Sequence, residues 1–281
     1  MKMKDIDFLI IGATKSATTW LQRSLQADPK VFMPDPELHF FSREYNRGED
    51  WYLVRFEGRK RGQVTGEKSN SYLEDAQAAA RISRSLPNAK LIVQLRNPVD
   101  RAYSDYCMLY RRGEVGRDIE RYLDPANSQG MRFIEAGEYY NQLQIYYQMF
   151  SAEQILITFY EAINTESERQ LETVRSFLDL EPGQSGRFLQ SKVKDKTTPT
   201  LEPKLRRVLS PLKPLVAPMR GSLAFEKVRG VLASEIRYRP IPEHIRDSLV
   251  DYYSNDVEKL SRLLGRDLSG WLRNPSASTA A

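Results

Sequence analysis

The stretch DFLIIGATKSATTW, residues 7–20, decides the fold class of this chain. Its apolar first part predicts a buried strand at 7–11, its polar middle predicts a loop at 12–17, and the rest predicts a helix at 18–27. A helix that begins directly after a buried strand presents unbonded N–H groups and the positive end of its dipole, and both attract phosphate. The order of strand, loop and helix therefore predicts an anion site at the start of this helix.

The side chains of the loop also suit an anion. Lys15 supplies a positive charge, while Ser16, Thr18 and Thr19 supply hydroxyl donors. Serine and threonine are good helix caps as well. An ordinary capped helix is therefore the alternative interpretation, and it leaves Lys15 unexplained.

A second apolar run, KLIVQL at 90–95, is typical of a strand that is buried on both faces. Further strands are predicted at 64–67 and 154–159, and helices at 75–86, from 98 onward, and at 142–150, 166–178 and 242–264. Strands that alternate with helices indicate an α/β fold with a central parallel sheet flanked by helices. We predict one P-loop-like domain over 1–274 with a helical C-terminal extension, followed by a frayed tail at 275–281.

The segment RNPVDRAYSDY, residues 96–106, follows this second strand. Arg96 comes directly after the carboxyl end of the strand, the edge at which open α/β sheets bind their ligands. Ser104 lies about two turns into the next helix and can share a face with Arg101. An arginine and a serine hydroxyl can bind a second phosphate, and a helix cap with surface ion pairs is the alternative. Two anion sites at one sheet edge favour the phosphate interpretation.

The same motifs argue against a metal-dependent phosphate site. A Walker A loop has glycines six and one residues before its lysine, where this chain has Leu9 and Thr14. Arg96 stands where a P-loop NTPase often carries a metal-binding aspartate. With one cysteine, Cys107, and two histidines, neither an internal disulfide nor a zinc site is expected. We predict that no metal is required.

Composition limits the remaining classes of protein. The chain has 281 residues, and 41% of them are hydrophobic, which supports a large core and excludes overall disorder. No apolar run approaches the roughly 20 residues of a membrane span, and the first residues lack the apolar run of a signal peptide. The formal net charge of +5 comes without a long basic run, so nucleic acid is not an expected partner. We expect a cytoplasmic protein that is not integral to a membrane.

Four short motifs resemble those of sulfotransferases that use 3′-phosphoadenylyl sulfate (PAPS). KSATTW at 15–20 is similar to the 5′-phosphosulfate loop of the cytosolic enzymes, with Ala17 in place of a usual glycine, and RNPVDRAYSDY is similar to their 3′-phosphate segment. PELHFF at 36–41 and GEKSNSY at 66–72 are similar to segments of the heparan sulfate, Golgi-type enzymes. The motifs keep the family's order, and the resemblance covers residues 7–106.

The resemblance implies a role for each matching residue. It implies that Lys15 contacts the 5′-phosphate and the bridging oxygen of the leaving group, and that Lys68 lies near the transferred sulfuryl group. It implies that Arg96 and Ser104 bind the 3′-phosphate. The other residues that line the phosphate loop are then Ser16, Ala17, Thr18, Thr19 and Trp20. The family's glycine-bearing basic loop has no clear match, although Lys192, Lys194 and Lys196 occupy that region of the chain.

The resemblance also implies which residue is the catalytic base. In the cytosolic enzymes a histidine lies two residues after the lysine that matches Lys68, but this chain has Asn70 at that position. In the Golgi type a glutamate before an aromatic pair is the base, and Glu37 matches it. His39, two residues on, is then a helper that orients the base. The alternatives are a surface carboxylate and a half-buried histidine beside two phenylalanines.

These inferences predict a PAPS-dependent sulfotransferase. The expected reaction moves a sulfuryl group to a hydroxyl, with an amine less favoured, of a small-molecule or oligosaccharide acceptor, and releases adenosine 3′,5′-bisphosphate (PAP). A P-loop-like nucleotide kinase and a non-catalytic polyanion-binding protein are the alternatives. Acceptor contacts are expected from the loops at 40–61 and 111–140 and from the proline-rich basic stretch 198–220. No pattern in the sequence specifies an oligomeric state.

Overall fold

The computed structural model describes residues 1–127, 131–181, 200–201, 233–234, 236 and 238–273. The chain divides into two compact units. The first comprises Met1–Asn97, Glu138–Val193 and Asn255–Ser269, and the second comprises Pro98–Gly137, Lys194–Ser254 and Gly270–Ala281. The lysines at 192, 194 and 196, the stretch 198–220 except for two residues, and the tail 275–281 lie outside the described residues. One domain over 1–274 stays a prediction.

The first unit contains a parallel sheet of five strands. They are β1 (Phe8–Gly12), β2 (Val31–Phe32), β3 (Val64–Lys68), β4 (Lys90–Leu95) and β5 (Ile155–Phe159), in the order β2-β3-β1-β4-β5. Phe8 of the central strand β1 pairs with Gly66 on one side and with Lys90 on the other. Every residue of β1 is buried, as expected of a parallel strand with helices on both faces.

The helices alternate with these strands as predicted. Among the described residues the α-helices are, in chain order, α1 (Thr18–Gln26), α2 (Gly48–Leu53), α3 (Ala76–Ser85), α4 (Pro98–Arg112), α5 (Glu120–Leu123), α6 (Met131–Glu135), α7 (Tyr139–Tyr147), α8 (Ala162–Thr165), α9 (Ser167–Phe177) and α10 (Glu243–Leu264). Side chains of α1 and α9, among them Leu21 and Val174, pack with Phe8 and Ile10 of β1 in one hydrophobic cluster. The predicted α/β fold with a central parallel sheet is confirmed.

Helix α7 corrects the predicted position of one helix. The sequence places it at 142–150, but the helix begins at Tyr139 and ends at Tyr147. The carboxylate of Asp256 accepts hydrogen bonds from the N–H groups of Tyr140 and Asn141, at 3.1 and 3.4 Å. Those are N–H groups of the first turn, which a helix leaves without internal partners. A helix cap from a residue more than a hundred positions away cannot be predicted from a local sequence pattern.

The described part of the second unit is mainly helical. Helices α4, α5 and α6 and the first part of α10 belong to it, and a short antiparallel pair joins β6 (Thr200–Leu201) to β7 (Ala233–Ser234). The fully buried Arg101 of α4 donates to the carbonyl of Phe133. The Tyr253 hydroxyl of α10 donates to the carbonyl of Ile134 at 2.7 Å. These bonds connect α6 to α4 and to α10. Within the described ranges, no helix combines the length and the apolar character that crossing a membrane requires.

Candidate active site

The loop between β1 and α1 has an alternating backbone. Lys15 and Ala17 are left-handed, with φ of 68° and 61°, and Ser16 between them is not. Alternation of this kind turns successive N–H groups toward one side, which makes a concave anion site. Glycine adopts the left-handed conformation without steric cost, so this geometry explains why glycine is usual at position 17 in the enzymes that the motif resembles.

Ser16 adds a buried hydroxyl to this loop. The residue is fully buried, and within the described part of the chain its Oγ has no hydrogen-bond partner. A buried polar atom without a partner costs free energy, so such atoms in native proteins call for an explanation. A ligand oxygen at this loop would satisfy the hydroxyl.

Two buried glutamines anchor the loop to the sheet. The side-chain amide of Gln94, on β4, donates to the carbonyl of Ser16 and accepts from Gln170 of α9 at 3.1 Å. The backbone carbonyl of Gln94 accepts from the Ala13 N–H at 2.9 Å. This pair was not predicted, because after its first residue, Lys90, the strand KLIVQL shows a single polar residue, Gln94, in an apolar run. The only available signal was that a glutamine in a buried strand needs hydrogen-bond partners.

Arg96 reaches the same loop from the end of β4. Its Nη1 donates to the carbonyl of Lys15 at 3.1 Å, and its guanidinium lies 4.4 Å from the ring centre of Tyr160. The carbonyl and the ring therefore restrict the guanidinium. The structure thus brings two predicted phosphate-binding residues, Lys15 and Arg96, to one loop.

Glu37 and Lys68 form an ion pair beside the start of α1. Lys68 Nζ donates to Glu37 Oε1 and also to Thr19 Oγ1, the latter at 3.3 Å. The Lys68 side chain is 2% exposed, whereas that of Glu37 is 24% exposed. A buried ammonium is stable only when a charge or hydrogen bonds compensate it, and Glu37 provides the charge. Three predicted site residues therefore meet at the first turn of α1, where Lys68 is buried and Glu37 and Thr19 are partly exposed.

His39 lies next to this pair. Its Nε2 is 3.7 Å from Glu37 Oε2, and its Nδ1 lies 2.8 Å from Ser71 Oγ, which in turn contacts Ser42 Oγ at 2.8 Å. Burial lowers the pKa of the imidazole, and the charge of Glu37 acts in the opposite direction. A neutral ring that is fixed by a serine can orient a neighbouring carboxylate, which fits the helper role.

Glu67 is a buried carboxylate that the sequence analysis did not select. It precedes Lys68 on β3 and is 1% exposed. Its Oε2 accepts from Ser69 Oγ at 2.7 Å, and its Oε1 accepts from the Tyr72 hydroxyl at 2.6 Å. Burial raises the pKa of Glu67 to about 7, although the two hydroxyl donors oppose that shift. The motif GEKSNSY contained a signal for this residue. Successive residues of a strand face opposite sides of the sheet, so Glu67 and Lys68 cannot both face the same side.

Two other predicted site residues are placed differently. The indole of Trp20 packs in the hydrophobic cluster and is 4% exposed, and its role in the phosphate loop stays a prediction. Ser104 is buried in α4, in the second unit. Its contact with the 3′-phosphate stays a prediction.

A comparison with protein families identifies the domain to which this geometry belongs. The model of the sulfotransferase domain matches residues 5–197. This chain belongs to the sulfotransferase family. The match includes the loop, the Glu37–Lys68 pair and Arg96, so the resemblance of the four motifs is confirmed at the level of the family.

Known relatives of this sulfotransferase include heparan sulfate enzymes. It is 33% identical over 177 residues to heparan sulfate glucosamine 3-O-sulfotransferase 3B1 of Mus musculus, covering 61% of this chain and 45% of that protein. It is 44% identical over 98 residues to heparan sulfate glucosamine 3-O-sulfotransferase 6 of Homo sapiens, covering 35% and 29%. The chain thus spans less than half the length of these relatives.

The fold has a close counterpart among solved structures. A sulfotransferase from Alicyclobacillus acidocaldarius superimposes with a TM-score of 0.71 and 23% sequence identity, over 95% of this chain and 98% of that one. This similarity confirms the P-loop-like sulfotransferase fold. The roles of the individual site residues stay predictions.

Proposed function

We propose that this sulfotransferase moves a sulfuryl group from PAPS to a hydroxyl of a glycan or small-molecule acceptor and releases PAP. One observation carries the proposal. The candidate base Glu37, the buried Lys68 and Thr19 of the phosphate loop lie within one set of contacts. A group that accepts a proton and groups that bind a phosphosulfate are therefore next to each other.

The residues of the loop fit the donor. Ser16 has a buried hydroxyl that lacks a partner within the described residues, and Lys15 and Ala17 have the backbone conformation of an anion site. In this proposal Lys15, Ser16, Thr18 and Thr19 bind the 5′-phosphosulfate. Arg96 binds the 3′-phosphate, and Ser104 does so by the resemblance. No residue of this set needs a metal ion to bind phosphate, and independence of metal stays a prediction.

Each residue has a defined task in the reaction. Bound PAPS supplies a sulfuryl group that is activated by its bond to a phosphate. Glu37 takes the proton of the acceptor hydroxyl as the acceptor oxygen bonds to sulfur and the bond between sulfur and the phosphate oxygen breaks. Lys15 stabilises the negative charge that develops on the leaving phosphate. Lys68 neutralises charge on the oxygens of the sulfuryl group and fixes the Glu37 carboxylate. Positioning and charge stabilisation account for catalysis of such a displacement.

The acceptor proposal follows the relatives. Their names specify a 3-O position and, in the bifunctional N-deacetylase/N-sulfotransferase 1 of Caenorhabditis briggsae, a nitrogen of heparan sulfate. A hydroxyl is favoured here because the relatives with the higher identity are 3-O enzymes. We also propose a cytoplasmic location, which the single, buried Cys107 supports because disulfides are rare there.

Calorimetric titration tests the donor site. The protein is titrated with PAP, with AMP and with Mg²⁺-ATP, and the Lys15→Ala variant is compared with Lys60→Ala, an exposed lysine outside the site. We expect metal-independent binding of PAP, much weaker binding of AMP, and a loss of about 10- to 100-fold in PAP affinity for Lys15→Ala alone, the size of one charge-assisted hydrogen bond. Preference for Mg²⁺-ATP would favour a kinase. Weak, salt-sensitive binding of all three would favour a polyanion-binding protein.

Transfer is tested with radiolabelled PAPS and a set of acceptors. An oligosaccharide of glucuronic acid and N-sulfated glucosamine offers only hydroxyls, its counterpart with unsubstituted glucosamine adds an amine, and 4-nitrophenol represents small molecules. Label in the first oligosaccharide supports O-transfer to a glycan. Label that appears only with the amine-bearing oligosaccharide contradicts the preference for a hydroxyl.

A further inference from the structure

The backbone of the segment that carries the candidate base is bound by two hydroxyls. We call residues 36–41 the base segment. The N–H of His39 donates to Ser69 Oγ at 2.8 Å, and the N–H of Phe41 donates to the Tyr72 hydroxyl at 3.3 Å. Both hydroxyls come from the residues that follow β3. The base segment is therefore positioned by the β3 side of the sheet and not only by its own packing.

The two hydroxyls share one acceptor. Ser69 Oγ donates to one oxygen of Glu67 and the Tyr72 hydroxyl donates to the other, at 2.7 and 2.6 Å. Each hydroxyl thus accepts from a backbone N–H of the base segment and donates to the same buried carboxylate. A hydroxyl that donates to a carboxylate has a fixed orientation, and its oxygen becomes a better acceptor. Glu67 therefore determines which way both hydroxyls point.

The base segment needs this support because its backbone is strained. His39 is left-handed, with φ of 51°, a conformation that costs a non-glycine residue free energy and persists only when the surroundings impose it. The N–H that Ser69 binds belongs to this same residue. Without that bond the peptide loses one of the contacts that impose its conformation, and the His39 ring can shift relative to Glu37.

We propose that Glu67 is a positioning residue of this sulfotransferase, which through Ser69 and Tyr72 holds the base segment in the geometry that aligns His39 with Glu37. Its catalytic consequence rests on the proposed function. The arrangement itself does not, because it consists of four hydrogen bonds within one compact unit. Glu67 touches neither donor nor acceptor in this proposal.

The ionisation state of Glu67 affects how it positions the base segment, and its burial and the charges around it set that state. The titratable groups that act on it within the described residues are Tyr72, Tyr52 of α2, Lys68 and Glu37. Burial outweighs Lys68 and the hydroxyl donors, so the pKa of Glu67 is raised to about 7. Only the ionised carboxylate accepts from both hydroxyls at once. Activity should therefore rise through a pH near 7 as Glu67 loses its proton.

The first test needs no activity. Amide hydrogen exchange at pH 8 is measured for wild type, Glu67→Gln and the control Thr65→Val. The control removes a buried hydroxyl from the same strand, and within the described part of the chain this hydroxyl bonds only to the carbonyl of Gln63. We expect protection of the His39 and Phe41 amides to fall by about tenfold or more in Glu67→Gln only, because local opening exposes them. Unchanged protection in a folded Glu67→Gln protein overturns the proposal, whatever its activity. If Glu67→Gln does not fold, Ser69→Ala and Tyr72→Phe give the same test, one amide each.

The second test is the pH dependence of transfer. We expect Glu67→Gln to lower kcat by about 10- to 100-fold, the cost of a misplaced catalytic group, with the KM for PAPS within about twofold of wild type. The rise in kcat near pH 7 should disappear in Glu67→Gln and persist in His39→Asn. A rise that remains in Glu67→Gln overturns the assignment to Glu67. If the wild type transfers nothing to any acceptor, the proposed function fails, and the amide exchange still decides whether Glu67 positions the base segment.

Discussion

At the scale of single residues, left-handed backbone marks the candidate site. Four non-glycine residues of the described chain have positive φ, and three of them, Lys15, Ala17 and His39, lie in the phosphate loop or the base segment. Such residues cost about 1–3 kcal/mol each and are found mainly at functional sites. The fold bears this cost at two neighbouring segments. We infer that their backbone geometry serves binding and catalysis rather than stability.

The pair of Glu37 and Lys68 leads to the first prediction for a variant. We expect Glu37→Gln to lower the rate of transfer by about 100-fold or more, because loss of a general base typically costs that much. Affinity for PAP should stay within about twofold, since the amide keeps the shape of the carboxylate. The measurement combines a single-turnover assay with titration by PAP.

A suitable control for this variant is Glu44→Gln. Glu44 also pairs with a basic residue, Arg47, but on the surface, where an ion pair contributes little. The Glu44→Gln variant should transfer the sulfuryl group at the wild-type rate. Normal turnover by Glu37→Gln would show that another group is the base.

At the scale of elements, β4 connects the sheet to the phosphate loop. Its continuous apolar run predicted the strand at 90–95, and the structure places it there. What the run could not show is the direction of Gln94, whose partners on the loop and on α9 are 78 and 76 residues away. Local periodicity predicts which residues are buried, whereas a hydrogen bond across the fold depends on which elements become neighbours.

This connection gives the second prediction. We expect Gln94→Leu to weaken PAP binding by about tenfold and to lower the free energy of unfolding by roughly 1–3 kcal/mol, because the carbonyl of Ser16 and the amide of Gln170 lose their partner. Thr158→Val is the matched control, since Thr158 is buried on the adjacent strand and its hydroxyl, among the described residues, bonds only to the carbonyl of Val93. Titration and thermal unfolding measure both effects. Equal PAP affinity in the two variants would exclude a role for Gln94 in shaping the loop.

The sequence predicted some elements better than others. Strands and helices with long regular patterns, such as 90–95 and 166–178, lie within a residue or two of their predicted ends. Strand β2 was missed because Val31–Phe32 is too short to show a period. The start of α7 was missed because its cap, Asp256, comes from a distant part of the chain.

At the scale of the whole molecule, a buried carboxyl makes the free energy of unfolding depend on pH. Burial raises the pKa of Asp256 to about 6 from 3.8, although the backbone N–H donors oppose that shift. A carboxyl whose pKa is higher in the folded state binds its proton more tightly there, so its contribution to the free energy of unfolding falls as the pH rises. For Asp256 this fall lies between about pH 4 and pH 6.

The third prediction follows from that sign. We expect the difference in free energy of unfolding between wild type and Asp256→Asn to decrease as the pH is raised from about 4 to about 6 and to be constant above pH 7.5. Urea unfolding at several pH values measures it, and the values above pH 7.5 are the internal control. A difference that grows with pH over the same interval would mean that the folded state prefers the ionised form.

The candidate site also contains residues that the sequence motifs select and residues that they do not. Lys15, Glu37, His39, Lys68 and Arg96 were selected because each stands in a short motif that resembles one of the sulfotransferases. The structure places all five in one unit, and their roles stay predictions. Gln94 acts through partners that only the fold brings near. Glu67 has local partners, Ser69 and Tyr72, but their bonds to the base segment, 30 and 31 residues away, depend on the fold. Trp20 follows the loop in the motif, yet its ring packs into the core.

The strand order has a consequence for synthesis of the chain. Strand β1 is the centre of the sheet, but one of its neighbours, β4, begins at Lys90, and the edge strand β5 is complete only at Phe159. A ribosome adds about 5–20 residues per second, so the stretch from the end of β1 at Gly12 to the end of β4 at Leu95 takes roughly 4–17 s, during which β1 lacks at least one of its two neighbours. During that interval its unpaired edges can join those of another nascent chain, which makes this stretch the expected contact for chaperones.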